Sequence, residues 1–370
     1  MIIFSLIAAS LAAVLFWIPG LYLLWRIPFC SGERNGHEGC TIIIPARDEA
    51  GNLPPLLESL RSQLLPRDEI LVVNDHSRDN TPEIALNHGA RVMGSGKRPD
   101  GWTGKTWACW QGAQAANNEM MLFVDADTWF AQGALTRMVA TLQRKNGLVS
   151  VQPFHCMKKA YERLSALFNL MVMIGVDAFT FGKTNKGPSG SFGPCILCSK
   201  KDYFTVGGHK SVRNLVLENL ALGPLFKKSG FQISCFGGAH TIFFRMYSDG
   251  LKDLVEGWTK GFATGAARTP PRIMALTIAW ISGAFIAAIV VAVAILVHTL
   301  SAMAVAAFIY LLYAGQFYWM LRRIGNFGIL TCLFFPLHLL FFVLIYIRSF
   351  IAIFIRKSVR WKGRNLSMGK

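Results

Sequence analysis

The sequence predicts an α/β domain carried between membrane helices, and three observations support this prediction. Two β-branched apolar runs, within residues 41–49 and 70–81, each end in a loop rich in carboxylates. A third apolar run, residues 120–124, leads directly into Asp125 and Asp127. Long apolar stretches occupy both ends of the chain. Short apolar strands that alternate with helical segments are typical of an α/β sheet.

The first two predicted strands are followed by polar loops. Residues 41–44 form an apolar strand that breaks at Pro45 into the loop Ala46-Arg47-Asp48-Glu49. Residues 70–73 form the second strand, and Asn74-Asp75-His76-Ser77 begins the loop after it. Thr81 and Pro82 then open a helix, because Thr is a favoured cap and Pro is favoured at the first helical position.

A glycine-flanked lysine precedes the next predicted helix. The segment Gly101-Trp102-Thr103-Gly104-Lys105 leads into an Ala-rich stretch. Its spacing is not that of a P-loop. The lysine is nevertheless suitably placed to bring an ammonium group near phosphate oxygens.

Asp125 and Asp127 are the most informative pair in the chain. Two carboxylates at i and i+2, just beyond a buried strand, can hold a divalent cation, and such a cation can hold a diphosphate. An Asp pair at a strand end is more often a turn or a helix cap. The three blocks described above favour the metal site over that alternative.

The composition indicates a membrane protein with a soluble middle. The 370-residue chain is 52% hydrophobic and its mean hydropathy is +0.37. Residues 1–25 carry no charge and no cleavage site, which predicts a retained anchor rather than a signal peptide. Three further apolar stretches, residues 273–297, 302–321 and 329–347, are each near the ~20 residues needed to cross a bilayer.

Basic residues predict that the soluble middle of the chain faces the cytoplasm, with the apolar stretches in the cell membrane. They flank the first three apolar stretches at Arg26, Arg34, Lys260, Arg268, Arg272, Arg322 and Arg323. Residues 356–370 form a basic tail that a plain fourth crossing would place outside. Pro336 offers a way to split the fourth segment into a re-entrant hairpin, so that residues 349–355 return along the inner interface.

The net charge of +17 raises the alternative of nucleic-acid binding. The basic residues concentrate in loops and beside membrane segments, and no nucleic-acid-binding motif accompanies them. Attraction to anionic lipid explains the charge better. The Cys195-x-x-Cys198 pair reads as part of a strand, where i and i+3 face opposite sides, so zinc binding is not expected.

Taken together, residues 40–265 resemble family 2 glycosyltransferases, which have the Rossmann-like, nucleotide-sugar-binding GT-A fold. The resemblance is closest to membrane-anchored enzymes that glycosylate carotenoid acids, of the diaponeurosporenoate glycosyltransferase type, and to their hopanoid-associated relatives. The motifs that carry it are Pro45-Ala46-Arg47-Asp48-Glu49, Asn74-Asp75-His76-Ser77, Gly101-Trp102-Thr103-Gly104-Lys105, Asp125-Ala126-Asp127, Gly207-Gly208-His209 and Trp361-Lys362-Gly363-Arg364.

The resemblance implies roles for most donor-side residues. Asp127 is expected to hold Mg²⁺ or Mn²⁺, and Asp125 to lie near the ribose. Asp75 is expected to accept a hydrogen bond from the uracil imide, its alternative being a helix cap. Lys105 is expected near the diphosphate. The remaining donor-binding positions are Pro45, Ala46, Arg47, Glu49, Ser77 and Ala126.

The general base is where the sequence departs from the family. Relatives commonly carry two carboxylates at the start of the acceptor-side helix, whereas this chain has Glu218 followed by Asn219. An amide cannot take a proton. Either Glu218 is the base, or the acceptor is a carboxylate that is already ionised at pH 7 and hardly needs one. A third alternative is that Glu218 only caps the helix or pairs with Lys210 or Arg213.

Two histidines and an altered motif complete the predicted site. His209 and His240 each follow a glycine-rich turn and are expected at the mouth of the site, His209 on the acceptor side and His240 as a possible metal or phosphate contact. Residues 256–260, with Trp258 and Lys260 assigned to the acceptor side, stand where processive relatives carry Gln-x-x-Arg-Trp. The loss of that motif favours transfer of a single sugar.

The sequence therefore predicts an inverting, metal-dependent enzyme that moves one hexose, with UDP-glucose the favoured donor, to a membrane lipid such as a carotenoid acid. A transferase that acts on polyprenyl phosphate or a glycerolipid is the alternative within the fold. A membrane scaffold with a decayed transferase domain is the alternative from another class, although the retained Asp75, Lys105, Asp125 and Asp127 argue against decay.

Overall fold

A computed structural model describes residues 2–33, 38–182, 187–215, 218–355, 358–361 and 364–367. The chain divides into two compact units. Unit 1 comprises Met1–Ile27, Met157–Lys183 and Tyr247–Lys370, and unit 2 comprises Pro28–Cys156 and Thr184–Met246. The sequence predicted one continuous domain over residues 40–265. Of that range, residues 157–182 and 247–265 fall in unit 1, where their helices pack with the C-terminal helices.

Unit 2 is built on a seven-stranded sheet. Its strands are β1 (Cys40–Ala46), β2 (Glu69–Asn74), β3 (Arg91–Gly94), β4 (Met120–Val124), β6 (Leu148–Gln152), β8 (Cys195–Ser199) and β9 (Ile233–Gly237). They lie in the order β3-β2-β1-β4-β8-β6-β9. Strands β3, β2, β1 and β4 run parallel, and β8 is antiparallel to both of its neighbours. The carboxyl ends of four strands therefore meet at one edge, where ligands bind in open α/β sheets.

Smaller elements complete unit 2. A three-stranded sheet contains β5 (Thr128–Phe130), β7 (Phe154–His155) and β10 (Ile242–Phe244). The helices are α2 (Leu53–Arg61), α3 (Thr81–Asn87), α4 (Gly104–Ala115), α5 (Ala134–Lys145), α7 (Lys200–Thr205) and α8 (Glu218–Lys228), with a 3-10 turn at Gly208–Val212.

The core of unit 2 follows from strand alternation. Ile42 and Ile44 of β1 point to the same face and are fully buried against Leu53 and Leu57 of α2. The Cys195-x-x-Cys198 pair lies in β8 as predicted, and both thiols are buried. All eight cysteines are free thiols, so none of them forms a disulfide.

Unit 1 is mainly helical. Its helices are α1 (Ile2–Leu23), α6 (Ala166–Gly175), α9 (Leu251–Ala267), α10 (Pro271–Val297), α11 (Leu300–Leu321), α12 (Gly328–Leu333) and α13 (Phe335–Phe350). A 3-10 turn at Ala160–Ser165 precedes α6, a π turn at Ile351–Ile355 extends α13, and β11 (Ser358–Trp361) pairs with β12 (Arg364–Ser367).

Among the described residues, four helices are long and apolar enough to cross a membrane. They are Phe4–Leu23, Pro271–Val297, Leu300–Leu321 and Phe335–Ile355. The first three match the predicted stretches closely. In the fourth, the helix breaks at Phe334, just before Pro336, and α13 then runs on without a turn into Ile351–Ile355. The predicted split at Pro336 is thus present, but residues 349–355 belong to the same continuous helix as the residues before them.

A polar cluster joins α1, α10 and α11. The Trp280 indole N–H donates to Gln316 Oε1 at 2.7 Å, and Gln316 Nε2 donates to the carbonyl of Trp17 at 3.1 Å. The Tyr313 hydroxyl donates to the carbonyl of Ala13 at 2.9 Å. Polar side chains between apolar helices stabilise association because hydrocarbon offers no other hydrogen-bond partner.

Replacing Gln316 with Leu should lower the stability of the detergent-solubilised protein. The change leaves the Trp280 N–H without its acceptor, and the free energy of unfolding is expected to fall by about 0.6–2 kcal/mol. Thermal unfolding followed by fluorescence measures it. Tyr318→Phe removes a polar group from a more exposed position of the same helix and is the matched control. Equal melting temperatures for Gln316→Leu and the control would show that the cluster does not hold the three helices together.

Candidate active site

The candidate site lies in unit 2, at the edge where β1, β2, β3 and β4 end. Main-chain hydrogen bonds fix the loops that follow these strands. Asp75 N donates to Ala46 O at 2.8 Å, and Ser95 N donates to Asn74 O at 2.9 Å. Each bond extends the hydrogen bonding between two neighbouring strands by one residue beyond the end of a strand. The first polar residues after three neighbouring strands are therefore brought side by side.

Asp75 is held by partners on both of its carboxylate oxygens. The Arg47 guanidinium lies 3.6 Å from Oδ2, and the Ser95 hydroxyl donates to Oδ1 at 3.2 Å. The helix-cap alternative fails, because α3 begins after Asn80 and the loop before it is held by Asp79. Asp75 is thus an oriented hydrogen-bond acceptor that is only partly exposed.

The loops after β1 and β2 are tied to each other. Asp48 N donates to Ser77 Oγ at 3.1 Å, and Arg78 N donates to Asp48 Oδ1 at 2.7 Å. Asp48 adopts a left-handed backbone with φ 54°, which Asp tolerates better than most residues. Ser77 therefore supports the loop that carries Arg47.

Lys105 sits in the first turn of α4, whose start is fixed by its own cap. Thr103 and Thr106 form a reciprocal capping box. The Lys105 ammonium lies 2.6 Å from Asp125 Oδ1 and 3.5 Å from Glu218 Oε1. Burial acts to lower the pKa of Lys105, but the two carboxylates outweigh burial and raise that pKa above its ordinary value. Lys105 therefore stays charged and links α4, β4 and α8.

The Asp pair follows β4 as predicted. Asp125 N donates to Pro194 O at 3.0 Å, and its carboxylate takes the Lys105 ammonium. Burial, then the charges of Asp125 and Glu49, raise the pKa of Asp127 to about 7, although the charge of Lys105 acts to lower that pKa. Helix α5 begins after Gly133, so neither Asp caps it. Negative charge is concentrated here beyond what Lys105 balances.

This donor set fits a divalent cation that arrives with a phosphate ligand. A cation would relieve the repulsion that raises the pKa of Asp127. Within the described residues, no three His, Cys, Asp or Glu side chains form a complete metal cage. Mg²⁺ commonly takes one or two carboxylates and completes its shell with water and substrate phosphates. Asp127, with Asp125 beside it, would supply the protein ligands.

Comparisons with known proteins agree with this geometry. The model of glycosyl transferase family 2 matches residues 41–204. A 4,4'-diaponeurosporenoate glycosyltransferase of Staphylococcus aureus (strain USA300) is 38% identical over 341 residues, which cover 90% of this chain and 90% of the relative. The chain belongs to glycosyltransferase family 2. The same enzyme from strain MRSA252 of that species shows the same identity and coverage.

The fold of this glycosyltransferase is GT-A, as predicted. A mannosyltransferase, PcManGT from Pyrobaculum calidifontis, solved in complex with GDP-Man and Mn²⁺, aligns with a TM-score of 0.55. The alignment covers 94% of this chain and 98% of that one, at 16% sequence identity. At such low identity the likeness concerns the fold.

Both predicted histidine contacts of the glycosyltransferase are wrong. His209 is 1% exposed, and its ring bonds to the Tyr203 hydroxyl at 2.8 Å, so it is a core residue rather than an acceptor contact. His240 is exposed, but it lies before the start of β10, where Ile242 pairs with Phe130. The other end of β10 pairs with Thr128, the residue after Asp127. The residue beside the Asp127 main chain is instead Arg245, whose N–H donates to Asp127 O at 3.4 Å.

Other predicted positions are placed differently or lie outside the described side chains. Ala46 and Ala126 bury their methyl groups in the core, so they offer only main-chain atoms to a donor. Trp258 belongs to unit 1, where it is 8% exposed and donates to Ser165 Oγ at 3.0 Å. The side chains of Asn219 and Lys260 lie outside the described part of the chain.

Ser95 and Arg245 are the site-edge residues that sequence reasoning missed. Ser95 follows β3, and Arg245 follows β10. Both strands are short, with four and three residues, and neither stands out as an apolar run. The usable signal for Ser95 was positional, because a polar residue after any parallel strand of the seven-stranded sheet reaches the same edge. Arg245 follows a strand of the three-stranded sheet, so that signal does not apply to it.

Gly104→Ala should separate donor binding from stability. A Cβ at Gly104 would lie 2.3 Å from Asp75 Oδ2, so the carboxylate must shift. Ala favours helix over Gly by up to about 1 kcal/mol, so the variant should melt at the same or a higher temperature. The KM for the nucleotide-sugar donor should rise at least about tenfold, the worth of ~1.4 kcal/mol of binding.

The control for this prediction is Gly51→Ala, where an added Cβ has no neighbour within 4 Å. Donor KM and melting temperature are measured for both variants. An unchanged donor KM for Gly104→Ala would mean that the orientation of Asp75 does not govern donor binding.

Proposed function

We propose that this glycosyltransferase is inverting and metal-dependent, and that it transfers one glucose from UDP-glucose to the carboxylate of a membrane-soluble acceptor such as a carotenoid acid. The observation that carries the proposal is the meeting of an oriented acceptor, Asp75, with a shared ammonium, Lys105, and an acidic pair, Asp125 and Asp127, at one sheet edge. These groups match the base, the diphosphate and the cation of a nucleotide sugar.

Donor recognition begins at Asp75. Uracil presents an N–H between two carbonyls, and a carboxylate whose oxygens are fixed by Arg47 and Ser95 is a suitable acceptor for it. Arg47 lies in the loop that Ser77 supports. From this position its guanidinium can face a carbonyl of the base. Pro45 and Glu49 flank this loop and complete the proposed base and ribose pocket.

The leaving diphosphate needs compensation for the charge that develops as the sugar–phosphate bond breaks. A bound Mg²⁺ or Mn²⁺ would act as a Lewis acid on the phosphate oxygens. Lys105 adds an ammonium in the first turn of α4, and Asp125 and Glu218 already orient it. Such preorganised charge stabilises the transition state without reorganisation during reaction.

The acceptor proposal rests on the relatives and on Glu218. The relatives at 38% identity are named for diaponeurosporenoate, a carboxylate-bearing acceptor. Glu218 is buried at the start of α8, and its carboxylate lies 3.5 Å from the Lys105 ammonium. Its carboxylate is thus engaged on the donor side. An ionised acceptor oxygen can attack the anomeric carbon directly while the diphosphate leaves, so no proton needs to be removed.

A panel of donors and acceptors tests the proposal. UDP-glucose, UDP-galactose and GDP-mannose are compared with a carotenoid acid, a polyprenyl phosphate and a diacylglycerol, and products are identified by mass spectrometry. We expect the highest kcat/KM for UDP-glucose with the carotenoid acid, and a glucosyl ester carrying one hexose. A higher kcat/KM for GDP-mannose would overturn the uracil assignment, and preference for another acceptor would favour the alternative within the fold.

Asp127→Asn should abolish sugar transfer and cation-dependent UDP binding while the protein remains folded in detergent. The amide keeps the volume of the side chain but cannot neutralise a cation. Transfer assays and UDP calorimetry with and without Mn²⁺ measure the effect. Glu58→Gln, at a side chain that is 71% exposed on α2, is the matched charge-removing control. Full activity of Asp127→Asn would remove the residue from the metal site.

Glu218→Gln should distinguish the two acceptor classes. With a hydroxyl acceptor, loss of a general base should lower kcat about 10²- to 10⁴-fold. With a carboxylate acceptor the loss should be far smaller, because no proton is removed and Gln still offers Lys105 an oxygen. kcat is measured with each acceptor across pH. A large loss of kcat with the carboxylate acceptor would refute the base-free mechanism.

A further inference from the structure

The break between α12 and α13 bears on how many times the chain crosses the membrane. Length and composition alone give four candidate spans, the last at Phe335–Ile355. We propose that α12 and α13 instead form a re-entrant pair, which enters the membrane to about half its depth and returns to the side it came from. The chain then crosses three times, through α1, α10 and α11.

One end of the three-helix bundle can be identified from its contacts. The Arg323 guanidinium donates to the carbonyls of Leu24 and Trp25, so the C-terminal ends of α1 and α11 lie together. Arg272, at the start of α10, lies 5.0 Å from the Tyr22 ring, which places the start of α10 there too. We call this the basic end. Basic residues flank membrane helices on the cytoplasmic side.

After α11 the chain leaves the basic end and runs back along the three-helix bundle. Asn326, just after α11, exchanges two hydrogen bonds with the main chain of Met157, where the chain enters unit 1. The Leu333 carbonyl then accepts from the Tyr310 hydroxyl, and the Phe335 ring lies 4.8 Å from that of Tyr310. Tyr310 lies 11 positions before the last residue of α11, about 16 Å at 1.5 Å per residue.

That height is about half of the roughly 30 Å hydrocarbon core. The break at Phe334 therefore sits near the middle of the bilayer, and its carbonyls have partners. The Leu333 carbonyl takes the Tyr310 hydroxyl, and the Phe334 carbonyl lies 3.0 Å from His338 Nδ1. Non-helical backbone at membrane depth needs such partners. The break is thus a turn supported by side chains.

From the break, α13 returns towards the basic end. The Phe342 ring lies 5.1 Å from Phe168 of α6, and the Ser349 hydroxyl donates to the Thr259 carbonyl of α9 at 2.8 Å. Helix α9 is 17 residues long and amphipathic, with Lys252, Asp253 and Glu256 among its residues, and it is not a candidate span. It leads through Pro270 into α10, whose start marks the basic end.

The side chains of α13 fit this path. Leu337, Leu340, Leu344 and Ile347 are each about half exposed and lie on one helical face, which suits contact with lipid chains. Arg348 is exposed 13 positions after Phe335, about 20 Å along the helix. On a returning helix that position reaches the basic end.

The consequence is that the described part of the tail, residues 358–361 and 364–367, lies on the same side as the ends of α1 and α11. This tail is basic, with Arg356, Lys357, Arg360, Lys362, Arg364 and Lys370. Three crossings place all of these residues with the other basic flanks, as the distribution of charge requires. Anionic headgroups of the inner leaflet are the ligands that such a tail would contact. This topology does not depend on the proposed substrates.

Cysteine labelling of the full chain in intact cells tests the topology. Ser367→Cys marks the tail, and Thr299→Cys marks the exposed turn between α10 and α11, which lies outside under either topology. An impermeant maleimide should label Thr299→Cys in intact cells and Ser367→Cys only after permeabilisation. The wild-type chain, whose eight cysteines are buried or partly buried, provides the blank. Labelling of Ser367→Cys from outside, at the level of Thr299→Cys, would overturn the re-entrant pair.

A second measurement tests the topology independently, in case Ser367→Cys reacts poorly with the maleimide. The full chain is fused after Lys370 either to a fluorescent protein that matures only in the cytoplasm or to a phosphatase that is active only outside it. We expect fluorescence and no phosphatase activity. Phosphatase activity without fluorescence would show a fourth crossing.

Discussion

The shared ammonium of Lys105 is the interaction on which the site depends. It connects Asp125 after β4 with Glu218 at the start of α8, and it does so from a helix whose own first turn is capped. Without it, three carboxylates would repel one another at a partly desolvated edge. Burial first, and then the charges of Asp125 and Glu49, raise the pKa of Asp127 even with Lys105 present. A cation–diphosphate pair supplies both the missing positive charge and a second partner for the ammonium.

Much of the fold was predictable because buried strands appear in the sequence as apolar runs. The three runs in the sequence correspond to β1, β2 and β4, and the membrane stretches correspond to α1, α10 and α11. The division into two units was not predictable, because residues 157–182 and 247–265 carry no boundary signal and join unit 1 through tertiary packing. The exact break at Phe334 also depends on tertiary partners, chiefly Tyr310.

The site was predictable where a residue directly follows a long strand. Asp75 and Asp125 lie at strand ends for that reason, and the capped start of α4 places Lys105 beside Asp125. His209 and His240 failed because glycine-rich turns do not reveal whether the next side chain points inward or outward, and here the Tyr203 hydroxyl draws His209 into the core. Ser95 escaped notice because β3 is short, although its hydroxyl fixes one oxygen of Asp75.

The central claim is that Asp127 and its neighbours bind a cation together with a nucleoside diphosphate. The site binds the cation without the nucleotide only weakly. Binding of Mn²⁺ to the full-length wild-type protein, followed by electron paramagnetic resonance with and without UDP, tests this most directly. The account predicts weak Mn²⁺ binding by the protein alone and at least about tenfold tighter binding with UDP, within the usual range of coupling between two ligands. The same Mn²⁺ affinity with and without UDP would contradict it.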